Sequence, residues 1–424
     1  MMRKRAWMVS AALIGGAASS VEAAPALVAD RVIVVGRIDD GAWSDAPTEA
    51  RLDQRAELAA VVIGHRGARR VVLAPAGIAK VTLSGRAVTT ELLEADAATN
   101  ANAAATNANA AANTPVATDT GAVRVQWSIV EPHGFRKQPA GNGATSEFYS
   151  NVSTEPRTFG RWLGYDHVDY TERIVAPWGA TTRIEASVSS GEATAEQPPG
   201  LGTVRFKVEL QLAGGPVLAS PGAEATDTFG VLPSVHRVSI RRGDDFLGWL
   251  SSYLLVPEVF GSAGSGKNHQ TERYVGADCA DVLIGAMRRM GRTELAYTNV
   301  AGLPGYTRPV AGPTELDEHG AAAQPIPVAE GDLIRIDYGG AMRGHTPRDW
   351  DHVAALWQDR SDPAGPLRGA ADGQLDGFDL VIHMGHPRLV IEPLARQSPA
   401  TVDVLRLRDQ PRSRGARAAG ADQK

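Results

Sequence analysis

Cys279 is the single cysteine among 424 residues, and it stands in the run Asp278-Cys279-Ala280-Asp281. A cysteine does chemistry as its thiolate, and a thiolate forms where positive charge or unpaired N–H groups surround the sulfur. The start of a helix supplies both, through four unpartnered N–H groups and the positive end of the macrodipole. Such positions can lower a thiol pKa from ~8.5 to roughly 3.5–7.5. A thiolate nucleophile also needs a base to take its proton and a third group to hold that base in the right tautomer. Six of the ten histidines lie between residues 269 and 386, in the same part of the chain as the cysteine. His352 is the best placed of them, because it opens a short apolar run after a polar loop and so stands at a strand end. For the third group, His383 shares a face with Asp379 and Val381 by two-residue periodicity, and His386 lies just beyond that strand. His383, His386 and Asp379 all remain open for that role on spacing alone.

Positioning these groups requires a helix and several strands. Asp278 is a good N-cap, Asp281 adds negative charge to the first turn, and Val282, Leu283, Ala286, Met287 and Met290 fall on one helical face. Gly291 stops the run. Asp244 to Leu255 carries a second helical stripe behind Asp244-Asp245. After the cysteine helix the pattern changes to strands at Leu333 to Asp337, His352 to Trp357, Asp379 to Met384, Leu389 to Leu394 and Val402 to Leu407. One helix followed by several antiparallel-type strands predicts an α+β domain over residues 244–407.

Upstream, residues 24–94 read as a small β domain and residues 120–243 as a β-sandwich-like domain. In the latter, Val204, Phe206, Val208, Leu210 and Leu212 alternate strictly with polar residues. The aromatics Trp162, Tyr165, Tyr170 and Trp178 suit core and turn packing better than a sugar platform. Between the two lies a linker of low complexity over residues 95–119, in which the heptapeptide ATNANAA occurs twice. Residues 408–424 are basic and unpatterned, as in a disordered tail.

Arg3, Lys4 and Arg5 precede a short apolar stretch, and Val21-Glu22-Ala23 suits signal cleavage, so residues 1–23 read as a signal peptide. The expected location is periplasmic or secreted. No lipoprotein cysteine follows the apolar stretch, and no later run is long enough for a membrane span. The net charge of -5 gives no footprint of a nucleic-acid binder. In an exported chain a lone cysteine has no internal disulfide partner.

A family resemblance rests on an ordered set of short motifs. These are Pro257-Glu258-Val259-Phe260-Gly261, Gly276-Ala277-Asp278-Cys279 opening a helix, Glu330-Gly331-Asp332-Leu333, Asp351-His352-Val353-Ala354, and Val381-Ile382-His383. Together they resemble the NlpC superfamily of papain-like cysteine peptidases, over about residues 244–407. The resemblance implies a papain-like core, Cys279 as nucleophile, His352 as general base and His383 as the group orienting His352. It implies no metal or other cofactor, and a peptidoglycan stem peptide as substrate, cut at the γ-D-glutamyl to diamino acid link. It also places Glu258, Asp278 and Asp281 beside the substrate groove. Glu258 stands where the family often has tyrosine, and Ala280-Asp281 stand where it usually has Ser-Gly. Asp281 also has a plainer reading, as a first-turn charge that stabilises the helix.

Three other readings stand beside this one. Gly261 to Lys267 reads GSAGSGK, near the phosphate-cradling loop, but Asn268 replaces the required Ser or Thr. Cys279, Asp281, His352 and His383 could be metal ligands, but the short spacings of zinc motifs are absent. A cell-envelope binding or scaffold protein that keeps the fold without catalysis is the main alternative.

Overall fold

The computed structural model describes residues 26–93, 123–133, 138–139, 145–146, 148–188, 196, 198–264, 270–339 and 350–408. The expected signal peptide, the Ala/Asn linker and residues 409–424 lie outside the described residues. The chain is β-rich and builds several sheets. No helix among the described residues is long and apolar enough to cross a membrane.

The first sheet is centred on the antiparallel pair Leu27–Ile38 and Ala56–Arg66. The second is centred on Gly202–Leu212, flanked by Val123–Pro132 and His236–Arg241. Strict alternation in Gly202–Leu212 sends Phe206, Val208 and Leu210 into the core and leaves Lys207, Glu209 and Gln211 half-buried. The two sheets trade strands. Arg183–Glu185 joins the first sheet beside Ala56–Arg66, and Thr48–Arg51 joins the second in parallel with His236–Arg241. Their facing sides, with Val34, Leu58 and Val62 from one and Trp127, Phe206 and Leu210 from the other, make one apolar core. That core continues through the cysteine helix to the third sheet.

The third sheet is antiparallel, in the order Thr307–Leu316, Ala400–Leu407, Leu333–Asp337, His352–Gln358, Leu380–Met384, Leu389–Pro393. Five of these strands match the apolar runs in the sequence to within two residues. Thr307–Leu316 does not show there, because it is an exposed edge strand interrupted by Pro309 and Pro313, which only an edge tolerates. Tyr170–Gly179, at the edge of the second sheet, was hidden for the same reason, being largely solvent-facing. Arg408, read as the start of the tail, belongs to the domain, where its Nε donates to the Thr307 carbonyl at 2.9 Å.

The first helix of this domain is shorter than expected. It spans Phe246–Ser251, capped by the Asp245 carboxylate, which accepts from Gly248 N at 2.6 Å. The chain then turns, with Leu255 at φ 72°, ahead of Pro257. The second helix, Cys279–Arg289, starts and stops where its signals place it, with Asp278 as N-cap and Gly291 at φ 108° just past its end. It is not a one-faced helix, however. Every residue from Ala280 to Met287 is buried, because the helix lies between the third sheet and the Phe246–Ser251 helix. Gly285 permits that approach: a Cβ there would stand 2.7 Å from the Tyr253 hydroxyl and 3.0 Å from Thr271 Cγ2. Gly285→Ala is therefore expected to cost about 1–3 kcal/mol by overpacking, read as a shift in the urea midpoint. An unchanged midpoint would show that this layer is loosely packed.

Candidate active site

Three elements converge on one edge of the third sheet. The His352 strand lies beside Leu380–Met384, which carries His383, and that strand pairs with Leu389–Pro393, which carries Glu392. In the register of this last pair, Val390 stands opposite His383 and Glu392 opposite Val381. Paired residues share a face, so Glu392 is the diagonal neighbour of His383. The side chains use that placement. His352 Nε2 and His383 Nδ1 are 2.9 Å apart, and His383 Nε2 lies 3.1 Å from Glu392 Oε1. Gln397 Nε2 donates to the same Glu392 oxygen at 2.7 Å. His383 is buried, 4 % exposed, and of the three groups left open by spacing it is the one placed within hydrogen-bond distance of His352. Its hydrogen bond to Glu392 holds that carboxyl below the usual carboxylate range. Burial, and then the neighbouring His383, push the His352 imidazole well below its ordinary value, so it rests neutral.

Tyr338 closes the chain on one side. Its ring stacks near His352, with centroids 6.4 Å apart and planes 26° apart, and its hydroxyl donates to Gln397 Oε1. A cleft of about 460 Å³ opens over these groups, lined also by Gly385, His386 and Arg388.

Cys279 approaches from the other side of the strand. The residues Val353, Ala355 and Trp357 pack toward the cysteine helix, whereas Ala354 and Leu356 belong to the core on the opposite face. By alternation His352 sits with Ala354, on the face of the strand turned away from the cysteine helix, and it is the neighbouring residue, Val353, whose backbone faces the sulfur. The sulfur is half-buried, and the Val353 N–H is directed at it, one residue from His352. Among the described residues, Cys279 and His352 share no direct hydrogen bond; the hydrogen bond of His352 uses Nε2 and leaves Nδ1 for another partner. The sulfur's charge also reaches Tyr338, whose hydroxyl is raised first by burial and then by Cys279.

The expected thiolate is not what these surroundings favour. Burial, then the charges of Asp278 and Asp281, push the Cys279 thiol well above its ordinary value, outweighing the N–H groups of Val353 and Ala280. The helix-start effect is cancelled because Asp278 takes the N–H groups itself, accepting from Ala280 N at 3.1 Å and Asp281 N at 2.8 Å. A capping carboxylate thus replaces the sulfur as the anion at this helix end.

The carboxylates of Asp278 and Asp281 are engaged within the chain. The second oxygen of Asp278 accepts from Gly261 N at 3.0 Å. Buried Asp281 accepts from Ser262 Oγ at 2.8 Å and Ala263 N at 2.7 Å. Desolvation raises both acids, Asp281 strongly; the charge of Asp278 raises Asp281 further, whereas the hydrogen bonds from Asp281 work against the rise of Asp278. These same bonds use the Gly261 and Ala263 N–H groups that a phosphate-cradling loop would offer a ligand. Glu258 does not line the cleft but touches a residue that does, with Oε2 3.1 Å from His386 Nδ1. No group of three or more His, Cys, Asp or Glu among the described residues is arranged to hold a metal ion.

A protonated resting thiol sets the sign of a pH test. A group whose value is raised stays protonated until higher pH, so alkylation of Cys279 by iodoacetamide is expected to be slow near neutrality and to keep rising into the alkaline range. Asp281→Asn removes one of the charges responsible and is expected to move the midpoint of that rise to lower pH. An unshifted midpoint would mean that Asp281 carries no charge when the thiol titrates.

Glu392, Gln397 and Tyr338 were not singled out in the sequence. Glu392 could be found only by placing the hairpin register about Gly385–Arg388, since it lies nine residues beyond His383 with no motif around it. Comparison of the chain with family models, curated proteins and solved structures gave no match.

Proposed function

We propose that residues 244–408 form a papain-like cysteine hydrolase domain of the NlpC type in an exported protein, cleaving an amide bond of peptidoglycan stem peptides. What supports this reading is a single arrangement: the hydrogen-bonded chain His352–His383–Glu392 ends one residue from the N–H group that faces the Cys279 sulfur. Glu392 holds His383, His383 fixes the tautomer of His352, and Nδ1 of His352 is left to exchange a proton with sulfur.

In the reaction the Cys279 proton passes to His352 Nδ1 and the thiolate attacks the substrate carbonyl carbon. Asp278 already occupies the Ala280 and Asp281 N–H groups, so the Cys279 N–H is the helix-start donor left to meet the oxyanion. As the tetrahedral adduct collapses, the C–N bond breaks and His352 returns its proton to the leaving amine. Water then gives a proton to His352 and attacks the thioester, releasing the carboxylic acid and restoring the thiol. Every step uses groups of this chain, water and substrate. The γ-D-glutamyl to diamino acid link is the proposed scissile bond, and His386, which lines the cleft and bonds Glu258, is the proposed contact for it.

Two observations favour a second reading, an envelope scaffold without turnover: the thiol is held protonated, and no hydrogen bond joins it to His352. Hydrogen bonds of catalytic groups are often long in a free enzyme and tighten with substrate, which is why hydrolysis is preferred. The test is incubation of the protein with peptidoglycan fragments and mass measurement of the products, with and without prior alkylation or chelation. Amide cleavage that survives chelation and is lost on alkylation supports the hydrolase. Intact fragments throughout, together with a Cys279 inert to iodoacetamide at pH 9–10, would leave the scaffold.

A further inference from the structure

A larger cleft, of about 1470 Å³, is lined mainly by the first sheet and shares no residue with this site. Register places its floor. Arg31 pairs with Ile63, Ile63 pairs with Val72, and Arg70 lies two residues from Val72 on the same face. Ile33, Ile63, Val72, Leu83 and Val88 make an apolar base, and Arg86 enters from the strand Arg86–Thr89 on the far side. The segment of residues 219–225 forms the opposite wall, joined by Pro233 and Ser234. Three guanidinium groups from three different strands, Arg31, Arg70 and Arg86, thus surround one cavity, and all three are exposed.

The carboxylates in the same cleft are already engaged. Asp45 accepts from Ser84 N at 2.9 Å, and Glu91 is paired with Arg69 and lies 3.6 Å from Arg66. Glu224 accepts from Gly222 N at 3.0 Å and sits 3.9 Å from Lys207 Nζ. Nearby, Asp30 is bound to His65. His236, at the base, is held neutral, pushed down to about 4 by burial. No hydrogen bond or ion pair among the described residues engages Arg31, Arg70 or Arg86. Arginine stays charged at any working pH, and its planar fork matches an oxyanion in two-point contact. The lining holds four arginines, with Arg69, against the carboxylates Asp45, Glu91 and Glu224, so Arg31, Arg70 and Arg86 are the guanidinium groups left to meet an incoming oxyanion.

We propose that this cleft binds an extended acidic oligomer, through oxyanions that meet Arg31, Arg70 and Arg86 while its backbone lies on the apolar floor. Phosphate and carboxylate share the required chemistry. Calorimetric titration of the full chain with tripolyphosphate and, separately, with penta-glutamate distinguishes those two sources. Saturable binding of either, weakened at least about tenfold in the R31Q/R70Q/R86Q variant and weakened by salt, supports the proposal. The single variants, each expected to lose about threefold, keep the test valid should the triple variant fold poorly. Arg308→Gln, an exposed arginine on the third sheet, serves as control and is expected to bind as the parent does. No saturable binding of either probe, or equal binding by parent and all Arg31, Arg70 and Arg86 variants, overturns it. The test reads no hydrolysis, so its outcome is independent of the function proposed for Cys279.

Discussion

Cys279→Ala is expected to lower amide turnover at least about 10³-fold while leaving the fold intact. The mechanism has one electron pair that can attack carbon, and it belongs to this sulfur. The residual rate that survives loss of a nucleophile comes from binding and oxyanion contacts alone. The fold should tolerate the change because the side chain is half-buried and the helix start is held by Asp278, not by sulfur. Loss of the thiol also removes a group kept protonated beside buried Asp281 and half-buried Asp278, so no buried charge is left unpaired. The measurement is product release from peptidoglycan fragments, alongside a thermal melt of parent and variant. Turnover undiminished in a folded Cys279→Ala protein would end the hydrolase proposal.

The second large effect concerns stability. Arg335 and Asp403 are directly paired residues on neighbouring strands of the third sheet, both nearly buried. Arg335 Nε donates to Asp403 Oδ1 at 2.9 Å, a second guanidinium nitrogen bonds the other oxygen, and the guanidinium lies 4.3 Å from the Trp350 ring. Asp403→Ala is expected to cost about 3–5 kcal/mol, because it leaves the guanidinium buried without a counter-charge. The strand that carries Arg335 leads into Tyr338 and pairs with the His352 strand, so the loss is felt at the site. Replacing both partners by apolar residues, R335M/D403L, is expected to recover most of the loss, since the penalty comes from the stranded charge. Urea melts followed by circular dichroism read both. A loss below about 1 kcal/mol in Asp403→Ala would mean that water reaches the guanidinium, against its burial.

Local, short-range determinants of this protein were legible in the chain alone. A cap, a 3.6-residue period and a terminal glycine involve residues a few positions apart, so Asp278, the helix from Cys279 and its end before Gly291 followed from spacing. The apolar strands of the third sheet were legible for the same reason, as was His352 at the mouth of its strand. Edge strands were not, because Thr307–Leu316 and Tyr170–Gly179 face solvent and carry little apolar pattern.

Tertiary structure alone decided the state of the sulfur and the completion of the histidine pair. Asp281 looked like an ordinary first-turn charge. Folding buries it and half-buries Asp278 beside the thiol, and a desolvated carboxylate acts on its neighbours far more strongly than an exposed one. Burial first, and these two charges after it, therefore push up a thiol that the helix start alone would lower. Glu392 joined the site through the register of a hairpin, in which one residue of slip would turn it to the other face. Spacing along the chain set which groups were present; distances across the fold set their charge, their partners and their order.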